Sequence, residues 1–318
     1  MIVDATLCYM ETSTAKQQYM MLMALTRLPI DAIEMTVVVY NNIVKMKLPR
    51  QKYILRVKNE YDIENYPGFH YYVKSINIDK DSDKKWIEQV MYDTSGRAAA
   101  RRIIVIDEVS VINMCEQFCT WIRNGKLYLE PLNYIGQATA LAYTWLKCGG
   151  NSVITAFCGL GNHAPLEEVL MTLHVTGIKR LMKPLNFSEL KKAAGNIAIS
   201  PVKPVVGAEI FAVESGIHVD GIKKNPQLYE PYPPELVNAS RRIVLGDMSG
   251  KSSIEAKLKE YNLVCGKIDT VKILDLVKQK SHDLHRAITD EEFCNLVKMI
   301  GCAGSAEKKI SYSRYNTA

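Results

Sequence analysis

The sequence predicts an α/β fold on a parallel sheet, open or closed into a barrel, with a helical appendage behind it. Two observations carry this. Short apolar runs alternate with helical patterns through the first two-thirds of the chain, as parallel strands joined by crossover helices require. After about residue 176 the alternation stops, prolines (Pro201, Pro204, Pro226, Pro231, Pro233, Pro234) punctuate a loop-rich stretch, and short helices follow.

The candidate strands are Ile2–Leu7, Ala32–Val38, Tyr53–Val57, His70–Ile76, Arg102–Ile106, Lys126–Leu129 and Ser152–Phe157. Between them, Ala138, Leu141, Ala142 and Trp145 share one face of a 3.6-residue period, as do Leu166, Val169, Leu170 and Leu173. In the tail, a helix start near Asn186 with Glu189 three residues on fits a capping box, and so does Thr289 with Glu292. Phe293, Leu296, Val297 and Ile300 line one face of the second of these helices. The polar segment Ser305–Ala318 reads as frayed.

Composition narrows the class. The 318 residues are 47% hydrophobic and 23% charged, which is ordinary globular usage, and the net charge is +6 without a block of like charges. Nucleic-acid binding gets no support from that balance. No apolar stretch reaches membrane-spanning length, and the start, MIVDATLCYM, lacks the regions of a signal peptide, so a cytoplasmic protein is expected. Of the eight cysteines only Cys115 and Cys119 are close, and a lone C-x3-C is no zinc pattern; buried, reduced thiols are expected.

Two segments imitate a nucleotide site. RIIVIDEVS (Arg102–Ser110) resembles a Walker B strand and GDMSGKSS (Gly246–Ser253) resembles a P-loop. The P-loop needs four residues between its first glycine and the Gly-Lys, and here there are three. The plainer reading is a strand end carrying Asp107 and Glu108, and a helix N-terminus at Ser249–Ser253 whose free N–H groups offer an anion site.

Four segments together resemble the acetyl-CoA-dependent 2-oxo acid condensing enzymes, the family of isopropylmalate and homocitrate synthases. The most specific is ESGIHVDGIKKNPQLYEPYPPELV (Glu214–Val237) with RRIVLGDMSGKSSI (Arg241–Ile254), which is similar to the family's post-barrel linker. TAFCGLGNHAPLEEVLMTL (Thr155–Leu173) resembles the strand and helix near the barrel's end. IDEVSVIN (Ile106–Asn113) is similar to a strand that usually reads ADTVG, and IVDATLCYMET (Ile2–Thr12) to the opening DTTLRDGEQ. The likeness is weakest between about residues 36 and 100, and the linker's wording favours the nitrogen-fixation type of homocitrate synthase.

The resemblance implies a TIM-type (β/α) barrel followed by a small helical post-barrel subdomain. It divides the chain into a degenerate barrel core (1–176), a barrel end and linker (177–240) and a helical C-terminal subdomain (241–318). It also implies condensation of acetyl-CoA, as substrate, with a 2-oxo acid, 2-oxoglutarate by the family's habit, polarised by a divalent metal. In such dimers the linker of one chain covers its partner's barrel mouth.

Residue by residue, the carry-over is uneven. Where the opening motif uses an Arg and then a metal-binding Asp, this chain has Cys8 and Tyr9; Glu11 stands where the family has its Glu. Where HxHND supplies two imidazoles, the chain has Glu130 and Leu132. The GERAGN loop is shortened to Gly161-Asn162-His163, with His163 at the ligand position and Asn162 beside it. The candidate metal ligands are thus His163, Asn162 and Glu130. His218 and Tyr229 match linker positions used for proton transfer and lid ordering, which with Glu11 makes them the candidate catalytic set, and Ser249 and Gly250 are the candidate acetyl-CoA contacts.

The stretch from the opening motif to Glu130 is roughly sixty residues shorter than is usual in the family, by that resemblance. One βα unit, the fourth, is expected to be missing, leaving a seven-strand or partly open barrel whose edge needs cover. Three functions follow: a subunit inactive alone that completes the site of a barrel-intact homologue, or of a second copy of itself; a self-sufficient enzyme whose Glu11, Asp107, Glu130, Asn162 and His163 rebuild a site for Mg2+ or Mn2+; or a non-catalytic binder of acetyl-CoA or a 2-oxo acid.

Overall fold

In the computed structural model the residues described are 1–59, 62–76, 85–106, 111–178, 185–195, 197–264 and 267–300. Asp107, Glu108, Cys265, Cys302 and the polar tail lie outside them. The chain divides into two compact units, one of residues 1–210 with 236–238 and one of residues 211–235 with 239–318.

The first unit is a barrel. Its strands are β1 (Ile2–Asp4), β2 (Ala32–Thr36), β3 (Lys52–Val57), β4 (Tyr71–Lys74), β5 (Trp86–Tyr92), β6 (Ala98–Val105), β7 (Leu127–Pro131) and β8 (Ser152–Ala156), with a short β9 (Ala164–Pro165) beside the end of β8. Each pairs with the next, and β8 closes on β1 through Ile2↔Val153, Val3↔Ile154 and Asp4↔Thr155. Helices α1 (Ala15–Leu25), α2 (Val37–Ile43), α3 (Asp62–Asn65), α4 (Val111–Arg123), α5 (Ala138–Lys147), α6 (Leu166–Val175) and α7 (Ser188–Ala194) complete the unit.

The expectation of a lost strand is corrected here: eight strands close the barrel. The economy lies in β5, which runs antiparallel to both β4 and β6. A parallel neighbour requires a crossover of a dozen or more residues, whereas an antiparallel one needs a turn. The turn is Asp93–Arg97, where Asp93 Oδ1 accepts the N–H of Ser95 (2.8 Å) and of Arg97 (3.1 Å). Reversing one strand therefore removes the need for two crossover helices and leaves no open edge.

Other expectations shift locally. Val37–Val38 starts α2 rather than ending β2, because Thr36 caps the helix by accepting the Val39 N–H. Asn186 makes no capping box; its Oδ1 accepts from Ser188, while Glu189 pairs with Arg27. Cys8 is buried as expected, but Cys115 and Cys119 are exposed on α4. The two apolar helix faces are buried as read from the sequence, in α5 and α6.

Inside the barrel every strand contributes to one apolar layer: Val3, Ala32, Ile54, Tyr71, Val73, Met91, Ala100, Tyr128 and Ile154. Strand side chains alternate, so the next inward residue toward the mouth is two positions on. That rule places Glu34, Arg56, Arg102 and Glu130 in the second layer of β2, β3, β6 and β7. On reversed β5 the count runs backwards, from Met91 to Gln89.

The second unit contains β10 (Ala212–Val213) paired with β11 (Arg242–Ile243), and helices α8 (Gly216–Lys224), α9 (Lys251–Glu260), α10 (Lys267–Leu284) and α11 (Asp290–Met299). Its core is Leu245, Ile254, Leu258, Ile273, Val277, Ile288, Phe293, Leu296 and Val297. The Thr289–Glu292 capping box opens α11 as expected. Among the described residues no helix is long and apolar enough to cross a membrane.

Candidate functional site at the barrel mouth

A lone charge on a buried strand must find a partner, because an isolated ion in the interior is costly. Four strands each carry one, and they find one another. Glu34, fully buried, lies between two guanidiniums: its Oε1 accepts from Arg56 Nε (2.7 Å) and its Oε2 from Arg102 Nη1 (2.9 Å). Arg102, also buried, turns its Nε to Glu130 Oε2. Glu130 Oε1 meets His163 Nε2 at 2.7 Å, an ion-pair distance without the alignment of a hydrogen bond. The chain Arg56–Glu34–Arg102–Glu130–His163 therefore crosses the barrel.

The electrostatics follow. Burial alone raises a carboxyl's pKa, but Arg102 and Arg56 outweigh it at Glu34 and hold that carboxyl below its ordinary value. Glu130 is held well below, against the same burial penalty, by Arg102 and then His163. Nearby, burial pushes Asp4 and Glu167 each up to about 7, at Glu167 in spite of Lys203, whose Nζ lies 3.5 Å from its Oε1. Asp4 Oδ1 accepts the Thr6 N–H and Glu167 Oε2 the Cys158 N–H, so both hold backbone turns.

Above the charged layer is a cavity of about 390 Å³ lined by Tyr9, Arg56, Lys74, Gln89, Arg102 and Glu130, with Ile76, Ile104, Leu132, Tyr134, Gly161 and His163. Tyr9 stands edge-on to His163, ring centroids 5.3 Å apart, with the Arg56 guanidinium 5.8 Å from its own ring centre. Gly161 permits this: a Cβ there would come within 2.1 Å of the Tyr9 ring. Leu132, at the second imidazole's position, is buried with Ile104 and Ile106 as an apolar wall.

Of the candidate ligands among the described residues, which leave out Asp107, the fold brings together Glu130 and His163. Asn162 and Glu11 are exposed and outside the cavity's lining. The described residues do not fit a divalent ion. Both Glu130 oxygens are engaged, and both His163 nitrogens face oxygens, Nδ1 lying 3.3 Å from Gly161 O. Burial raises the Tyr9 phenol's pKa, keeping it a neutral and poor hard-cation ligand. Among the described residues no group of three His, Cys, Asp or Glu converges as a metal site. Cys8, at the position of the family's Arg, is buried with its Sγ 3.8 Å from Glu34, and burial raises its thiol pKa further.

Glu34, Arg56 and Arg102 were not singled out by sequence reasoning. Their signal, shared with Glu130, is a charge beside an apolar run: AIEMT, ILRV, RIIV and LYLEP, with two acids and two bases.

The remaining candidates lie in the second unit. His218 on α8 and Tyr229 are both exposed and edge-to-face, centroids 5.6 Å apart. Their chain neighbours Ile217 (79%) and Leu228 (77%) are exposed apolar side chains, as is Met248 (69%), whose carbonyl accepts the Gly216 N–H. Ser249 is buried, its Oγ accepting the Gly246 N–H at 2.9 Å, and Gly250 caps α9. The start of α8 lies so close that a Cβ on Gly216 would come within 2.5 Å of Gly250 Cα. Ser249 thus serves the turn, and α8 lies over the α9 start.

A family model described as "Homocitrate synthase post-HMGL domain-like" matches residues 205–285. "Homocitrate synthase AksA" of Methanothermobacter thermautotrophicus is 34% identical over 270 residues, covering 80% of this chain and 68% of that protein. "Homocitrate synthase 1" of Nostoc sp. is 39% identical over 173 residues, 52% of this chain and 46% of the relative. "Homocitrate synthase, omega subunit" of Clostridium pasteurianum is 34% identical over 172 residues, 52% and 48% respectively. The chain thus matches about half the length of the last two relatives.

Proposed function

The chain belongs to the homocitrate synthase/2-isopropylmalate synthase family, and we propose that it acts there as a complementing subunit: inactive alone in acetyl-CoA–2-oxo acid condensation, it supplies His218 and Tyr229 to the active site of a barrel-intact homologue. The observation that carries the reading is Glu130. It stands at an imidazole position of the family, and both its oxygens are taken by Arg102 and His163.

The second unit supports the other half of the reading. An exposed imidazole beside a phenol is a sensible proton-transfer pair. Exposed Ile217 and Leu228, their chain neighbours, and exposed Met248 are what an interface with another chain would bury. That one relative is named an omega subunit of homocitrate synthase agrees with a multi-chain enzyme.

The test is release of free CoA from acetyl-CoA and 2-oxoglutarate with Mn2+ or Mg2+, using the chain alone and mixed with a barrel-intact homologue from the same cell. The expected result is silence alone and turnover in the mixture that exceeds the homologue's own, reduced about a hundredfold or more by His218→Ala, the scale of losing a general acid–base. Turnover by the chain alone, or a mixture indifferent to His218, would sink the reading.

A further inference from the structure

Two helices of the barrel's outer wall carry three thiols where they meet. Cys115 and Cys119 stand four residues apart on α4, both exposed, and Cys148 caps the C-terminus of α5, half-buried. All three are free in this structure. Phe118 and Trp145, both buried, join the two helices, their ring centroids 5.3 Å apart and nearly perpendicular. Cys115 is three residues before Phe118 on α4, and Cys148 is three residues after Trp145. The Cys115 and Cys148 thiols meet in a side-chain hydrogen bond across the seam.

This contact decides which bond can form. A disulfide needs Cβ atoms about 3.5–4.5 Å apart. Residues four apart on one helix hold theirs about 5–6 Å apart. Cys115 and Cys119 are therefore a poor pair within α4, and the partner of Cys115 lies on α5. The two thiols also divide the work. Cys115 is open to solvent and meets a reagent first. Cys148 is half-buried, and burial, then the Cys115 contact, raises its thiol pKa, so it attacks second.

We propose that Cys115 and Cys148 form a reversible modification site, at which thiol–disulfide exchange with a low-molecular-weight disulfide joins α4 to α5. The Cys115 thiolate attacks one sulfur of the small disulfide and releases the other as a thiolate. The Cys148 thiolate then attacks Cys115 Sγ and releases the second. Two protein thiols are oxidised, one small disulfide is reduced to two thiols, and the two protein protons go to them. The loop so closed contains the whole of β7, with Glu130, so the modification ties together the helices on either side of that strand. The pair lies outside the cavity's lining and involves neither His218 nor Tyr229, so this reading and the complementing-subunit reading fail separately.

The experiment equilibrates the full chain with oxidised and reduced glutathione at graded ratios, blocks the remaining thiols with N-ethylmaleimide and maps the peptides by mass spectrometry. The expected result is a Cys115–Cys148 cross-link, two hydrogens lighter than the dithiol, that dithiothreitol reverses. Cys148→Ser should leave Cys115 carrying glutathione, about tenfold or more above the wild type, because no neighbouring thiol displaces it. Cys119→Ser should leave the cross-link in place. Four results would each overturn the proposal: no cross-link in oxidised glutathione alone, Cys115 or Cys148 joined to Cys119 instead, a cross-link lost in Cys119→Ser, or no more glutathione on Cys115 in Cys148→Ser than in the wild type.

Discussion

The barrel and the second unit treat their charged side chains in opposite ways. In the barrel, Glu34, Arg102 and Glu130 are buried and spend their charge on one another. In the second unit the buried cation, Lys257, reaches Asp290 at 2.7 Å and Glu260 at 3.3 Å, both about half exposed. Its most displaced acid, Glu292, is held down to about 2 by Arg286 and the Thr289 N–H, in water. His218 and Tyr229 stay exposed beside each other. A region that has internalised its charges has made them structural, while one that leaves an imidazole and a phenol outside keeps them for something else.

The largest effect that could break this contrast is removal of Arg102. Buried carboxylates deprived of a partner destabilise a fold by about 3–5 kcal/mol. Arg102→Met leaves Glu34 with Arg56 alone and Glu130 with His163 alone. Urea denaturation should show a loss on that scale. A loss below about 1 kcal/mol would place the network among solvated surface pairs, against its burial.

The middle effect uses pH. Asp4 and Glu167 titrate near 7 when folded, against ordinary values of about 4. Between roughly pH 4 and 7 the folded chain keeps protons that the unfolded chain has released, so their contribution falls as pH rises and levels off above 7. Glu34 and Glu130 run the other way, since their folded pKa values are depressed: their contribution is present above the ordinary carboxylate value and is lost as pH falls through the folded ones. Asp4→Asn keeps an acceptor for the Thr6 N–H and removes the charge. It should stabilise the chain by on the order of 2 kcal/mol at pH 8, with the gap closing toward pH 5. A gap that does not change with pH would mean that Asp4 is already ionised at little cost.

These experiments rest on residues that were unevenly legible in the sequence. The apolar faces of α5 and α6 and the Thr289 capping box could be read because each is a local pattern with one structural solution. Strand β5 was missed although WIEQVMY is rich in aromatic and β-branched residues and DTSG follows it, a hairpin signal overshadowed by the expectation of βα units. Val37–Val38 looked like strand because propensity favours it, and the Thr36 cap prevailed. Glu130 and His163 could be placed from motif spacing, but Arg102 could not, since only closure of β6 on β7 sets it beside Glu130.

The smallest effect on stability should come from the second unit, and it sharpens the contrast most. Ile217 is 79% exposed, so Ile217→Glu touches no core and should change stability by less than about 0.5 kcal/mol. His218→Ala should be equally silent in a melting curve. If this face serves another chain, Ile217→Glu places a carboxylate where an apolar contact is needed, and the mixed complex with a barrel-intact homologue should dissociate on size-exclusion chromatography while the chain alone elutes unchanged. The two readouts separate because the side chain contributes nothing to the monomer that holds it. A complex that survives Ile217→Glu would leave the exposed apolar neighbours of His218 and Tyr229 as ordinary surface. The uneven division of charge between the units would then reflect the barrel's need to fill its own interior and nothing more.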